Sequence, residues 1–289
     1  MNRVEDGARP RPLALAGIDR VRRRRLPLAL LAPALLGLGF LVLPLVGLLT
    51  RAPWRSLPAA LAAPEILVAL RLSLVCATLA TALCLVLGVP LAWLLASSST
   101  RGRGLLRALV TVPLVLPPVV GGVALLFVLG RRGLVGQWLD RWFDVQLPFT
   151  TTAVVLAEAF VAMPFLVLAV EGALRGADSR LEEAAATLGA SRWYVFRRVT
   201  LPLVAPGILA GAVLAWARAL GEFGATITFA GNAPGRTTTM PIAVYLALRG
   251  GNTEAAVVLS LVMLAVSVLV LALLRDRWLG GARLSGDPT

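Results

Sequence analysis

Arg218 and Glu222 stand four residues apart inside a long apolar run. On a helix that spacing puts both on one face, where a guanidinium and a carboxylate can pair. A charge carried to the middle of a bilayer costs about 2.5–3.5 kcal/mol on insertion scales, so such residues face a bundle interior or water. Two roles are open to the pair. Arg218 lines a path and makes it tolerable to a passing anion while Glu222 holds its orientation, or the two neutralise each other and lock helix packing. Glu158 is a lone carboxylate in the preceding apolar run, with Arg218 or the membrane interface as its partner. Pro117 and Pro118 are followed by Gly121 and Gly122. A helix with that content bends or opens, and the bend either lines the path or only shapes packing.

The rest of the inventory excludes most enzyme chemistry. The 289 residues contain no histidine, which removes the commonest general base and the commonest imidazole ligand. Cys76 and Cys84 share one apolar run and read as small hydrophobes, neither bridged nor metal-binding. No catalytic residue, metal site or bound cofactor is expected on this chain. No GxxxxGK[ST] phosphate loop is present, and Gly130-Arg-Arg-Gly-Leu-Val-Gly136 lacks the lysine and the strand–helix setting. No polar stretch is long enough for a nucleotide-binding domain, so active transport would need its energy from another chain. A net charge of +13 would suit nucleic acid. The arginines, however, sit at the ends of apolar runs, and no nucleic-acid partner is expected.

The elements that hold these residues are membrane-grade. The chain is 58% hydrophobic, with a mean hydropathy of +0.84, more than a soluble domain of this size uses. Six transmembrane helices are predicted, each near the ~20 residues a bilayer requires: 28–49, 66–96, 106–129, 152–174, 203–229 and 254–274. The second is longer than one crossing and is expected to tilt or to extend past the interface. The first follows Arg22-Arg23-Arg24-Arg25; it is too long for a signal-peptide core and reads as an uncleaved span. Arginine counting sets the orientation. The tail 1–26, the loop carrying Arg101, Arg103 and Arg107, the segment 175–198 and the tail 275–289 are richer in arginine than the three alternate loops. Both termini are therefore expected in the cytoplasm, on a multi-pass chain whose first partner is the lipid bilayer.

One polar island interrupts the pattern, from Ser179 to Pro202. Ser179 with Glu182 forms a capping-box pattern at a helix start. Gly189 stands where a left-handed C-terminal cap belongs. Ser191 caps a second short helix, and Pro202 is expected to stop it. Ala184, Ala185 and Ala186 offer a small face to an approaching surface, with Trp193 and Phe196 as anchors for a partner's pocket. An amphipathic connector lying on the membrane would look similar.

Glu183-Ala184-Ala185, Gly189 and Val199-x-Leu201-Pro202 resemble the EAA loop of bacterial ABC importer permeases, with its spacing intact. Val112 to Val120, Ala217 to Thr226, Ala230 to Thr237 and Met240-Pro241 resemble molybdate permeases in particular, and the likeness covers roughly residues 67–274. It implies an all-α integral membrane fold of the type I ABC importer class. The span 27–49 would precede a transmembrane domain over 66–274 that carries a coupling loop at 179–202. It also implies a homodimer in the bacterial inner membrane, with cytoplasmic ATPase subunits that bind ATP and a periplasmic protein that delivers molybdate. Coupling would fall to Glu182, Glu183, Ala184, Ala185, Gly189, Trp193, Phe196, Leu201 and Pro202. The path would fall to Arg218, Glu222, Glu158, Pro117 and Pro118. The turn-rich loop 231–239 would face the delivery protein, or is a plain connector. Sulfate or tungstate are the nearest alternative cargoes, and a channel or membrane-embedded enzyme the distant ones. The chain departs from the family at Leu168, where related permeases often carry a basic residue, and at Glu171, where some carry a second one.

Overall fold

A computed structural model describes residues 28–97 and 102–280. The expected tail 1–26 and Arg101 lie outside the described residues, as do residues 281–289 of the second tail. The chain divides into two units, 1–47 and 48–289. The first contains most of α1 (Leu28–Thr50), 23 apolar residues interrupted only by Pro33 and Pro44. At 1.5 Å per residue that is about 34 Å, enough to cross a bilayer. Leu36 and Phe40 are among its exposed side chains.

The second unit is helical throughout its described elements. It runs α2 (Leu57–Leu61), α3 (Pro64–Ser97), α4 (Arg103–Val115), α5 (Pro118–Leu129), α6 (Gly136–Phe143), α7 (Thr151–Gly176), α8 (Ser179–Thr187) and α9 (Arg192–Val195). A π-helical turn (Phe196–Thr200) follows, then α10 (Leu201–Leu220), α11 (Gly224–Phe229), α12 (Met240–Arg249) and α13 (Thr253–Gly280). The centre is a three-helix packing of α3, α7 and α10. Its contact surface is mostly small: Ala77, Ala80 and Cys84 meet Ala159, Ala162 and Val167, with Ala215 and Ala219 from α10. In a membrane, where lipid is as apolar as leucine, close backbone approach is what drives such packing. Gly207 and Gly211 show it, since a side chain at Gly207 would collide with Ala173 and one at Gly211 would sit 3.0 Å from Ala169 Cβ.

Two expected spans are broken. The run 106–129 is two helices, α4 and α5, bent by 114°. Leu116 and Pro117 both have extended backbones, ψ 132° and 133°, because a residue before proline is pushed out of the helical region. The run 203–229 ends as a helix at Leu220, passes through a non-helical Gly221 to Phe223, and resumes as α11. Among the described residues five helices are long and apolar enough to cross a membrane, or six if the bent pair counts as one span. α13 overruns the expected end at 274, reaching Gly280.

Candidate functional site

The island folds as an elbow, closed at each joint by caps from its own residues. Its first cap is Asp178, not Ser179: the Asp178 carboxylate accepts from Arg180 N at 3.0 Å, and Ser179 is the first helical residue. The expected capping box does not form. A carboxylate one position earlier serves the first-turn N–H groups and the positive helix end at once. Glu182 is thereby released to cross the turn, where Thr200 Oγ1 donates to its Oε1 at 2.6 Å. Gly189 closes α8 at φ 83°. Gly189 N–H reaches Ala186 O and Ala190 N–H reaches Ala185 O, the paired bonds of a Schellman cap. Ser191 Oγ accepts from Tyr194 N and starts α9.

Pro202 does not stop the second helix. It lies in the first turn of α10, where a missing N–H is tolerated. The π turn before it has already shifted the ladder, with Leu201 N–H bonded to Phe196 O. Helix therefore runs unbroken from Arg192 to Leu220, 29 residues. Phe196 is turned inward as well: its ring meets Trp93 of α3 edge-on at 4.9 Å and Trp193 at 5.4 Å. Trp193, Tyr194 and Leu188 remain exposed, Leu188 at 88%, beside the exposed Glu183 and Ala184. Leu188, Tyr194 and Thr200 belong to this elbow without being among the expected coupling residues. Leu188 was detectable as the large apolar residue just before the Gly189 cap.

At the other end of α10 lies the ion pair. Arg218 Nη1 is 2.6 Å from Glu222 Oε2, and Glu222 is almost wholly buried while the Arg218 side chain is 28% exposed. The second carboxylate oxygen accepts from Ala225 N at 3.0 Å, which ties the pair to the first turn of α11. That turn rests on the proline bend. Gly122 faces Ala225 O with no room for a Cβ, which would sit at 2.7 Å, and Gly224 packs closely on Pro118 and Val119. Pro117 and Pro118 themselves are exposed. Ring contact between Phe223 and Tyr245, 4.9 Å, holds α12 to the same break. Glu158 takes neither of its expected partners. It is buried on α7, its Oε2 has no hydrogen-bond partner, and among the described residues no ion pair reaches it. It lies within electrostatic range of Glu222.

A third charged group was missed in the sequence except as a departure at Glu171. This carboxylate, 2% exposed, is ion-paired to Arg175 one turn on, to Arg103 Nη2 at 3.8 Å and to Arg107 Nε at 3.7 Å. The four-residue spacings 171/175 and 103/107 were readable; the meeting of α4 with α7 was not.

A polytopic helical bundle, with a polar elbow built into one of its long helices, is the architecture of an importer's membrane subunit. The chain belongs to the family described as binding-protein-dependent transport system inner membrane component, which matches residues 88–280. As a member it is a transport subunit, and hydrolysis of ATP belongs to a separate chain. It is 48% identical over 245 residues to the molybdenum transport system permease protein ModB of Mycobacterium tuberculosis, covering 85% of this chain and 92% of that one. The molybdenum transport system permease protein ModB of Escherichia coli K12 is 46% identical over 221 residues, covering 76% and 94%. In fold it matches a bacterial alginate ABC transporter solved in complex with an alginate pentasaccharide-bound periplasmic protein. The TM-score is 0.66 at 20% identity, covering 85% of this chain and 91% of that one.

Proposed function

We propose that this chain is the membrane subunit of an ATP-driven molybdate importer, working as a homodimer with two cytoplasmic ATPase subunits and an external molybdate-binding protein. The permease identity of its relatives supports the cargo. The periplasmic protein bound to the alginate transporter supports the class of external partner. Arginine asymmetry supports an inner-membrane topology with both termini and the elbow on the cytoplasmic side.

One observation carries the mechanism: the 29-residue helix that begins in the elbow carries Arg218 in its last turn. When ATP draws the motor subunits together, they move α8 and α9 through Glu183, Ala184, Leu188 and Trp193. The Glu182–Thr200 bond and the Phe196–Trp93 contact keep elbow and span from slipping. The displacement arrives at the break at 221–223, next to the proline bend, where two short helices can re-pack as discrete alternatives. The membrane subunit thus exchanges inward-open and outward-open populations. Arg218 supplies positive charge to the path, while Glu222 aims it.

Proteoliposomes holding the dimer, its motor and its binding protein test the reading. ATP-dependent uptake of molybdate, with tungstate and sulfate as competitors, is the measurement. Preferential molybdate uptake is the expected result. Uptake that sulfate suppresses at equal concentration overturns the cargo assignment.

A further inference from the structure

Three guanidiniums surround the buried Glu171 carboxylate, which leaves a net local charge of +2 where α4 meets the end of α7. Arg103 and Arg107 lie one turn apart on α4, and Arg175 sits four residues before the elbow begins. This group therefore shares the elbow's side of the membrane. Glu171 cannot occupy all the donors, since each guanidinium carries five N–H groups. Two of the three contacts to it are long, 3.7 and 3.8 Å. The Arg103, Arg107 and Arg175 side chains remain 32%, 51% and 38% exposed. Among the described residues no other carboxylate pairs with them.

From this geometry we infer a site for a tetrahedral oxyanion held by Arg103, Arg107 and Arg175, with Glu171 as the buried counter-charge that the anion competes with. Planar guanidiniums bind phosphate-like oxygens in pairs of parallel bonds. The shared ligand chemistry is a phosphate or a similarly shaped oxyanion. It arrives either as the headgroup of an anionic phospholipid or as a free anion in water. The site rests on the proposed orientation only for which leaflet it serves. Binding itself does not depend on that orientation or on the cargo.

The full-length chain in detergent and in nanodiscs tests this. Native mass spectrometry reads retained phosphatidylglycerol against phosphatidylcholine, and equilibrium dialysis reads inorganic phosphate and molybdate. Wild type is expected to retain at least one of these anions. R103Q/R107Q is expected to weaken it about thirtyfold, at roughly fivefold for each basic residue. Displacement of phosphatidylglycerol by neither phosphate nor molybdate assigns the lipid source; saturable binding of either ion to lipid-free protein assigns the soluble one. E171Q is the decisive second variant. It keeps the shape and removes the competing charge, so it must bind the anion more tightly than wild type. Equal binding by wild type and R103Q/R107Q, or weaker binding by E171Q, overturns the site and leaves the ions as a packing network.

Discussion

At the residue scale, the Arg218–Glu222 pair has a dual position. Glu222 is spent on structure, with one oxygen on Arg218 and the other on Ala225 N–H. Arg218 keeps over a quarter of its side chain open. Removing one partner of a buried pair strands the other charge, at about 3–5 kcal/mol. R218Q should therefore lower the unfolding temperature in detergent and abolish uptake. The double variant R218Q/E222Q separates the roles: we expect stability to recover and uptake to stay lost, and recovery of both would reduce the pair to packing. A gentler test is Thr200→Val. It deletes the donor to Glu182 and should cost about 1.5 kcal/mol, the low end for a hydrogen bond to a charged group because Glu182 is partly exposed. Hydrogen exchange in 184–192 should quicken, while exchange in α7 stays unchanged.

At the element scale, the small-residue crossing of α7 and α10 is the feature most sensitive to size. Gly207 lies against Ala173 with no room for a β-carbon. Gly207→Leu should force the helices apart, costing about 1–3 kcal/mol by overpacking and lowering recovery of folded protein, which size-exclusion chromatography reads. Much at this scale was legible beforehand. The apolar runs gave the long helices, Gly189 its left-handed cap and Ser191 its N-cap, because each depends on residues within a turn of itself. The misses share one cause. Asp178 and Ser179 are both good caps, and nothing local chooses between them. Glu182 was drawn away from its box by Thr200, eighteen positions on. The break at 221–223 lies within an apolar run and is stabilised from outside it, by α5 and by Tyr245. Phe196 turned inward because Trp93, on another helix, was there to receive it. Tertiary partners decided these cases, and composition does not reveal them.

At the scale of the whole molecule, the elbow and the ion pair are ends of one continuous helix, Arg192 to Leu220. A push at one end need not be relayed through loops. The Schellman cap, the Thr200 clasp and the aromatic contact with Trp93 make the elbow a rigid handle, and the breaks in the third and fifth apolar runs concentrate the response. Placement of the handle on the motor side is the claim on which transport depends. Cys76 and Cys84 are buried, so a cysteine introduced at Leu188, 88% exposed, is the reactive one. Cross-linking L188C in the reconstituted complex is the most direct test. A covalent product with the ATPase subunit, in a yield that changes when ATP is bound, is the expected result. Labelling of L188C from outside sealed cells, or a product with the external binding protein instead, would contradict it.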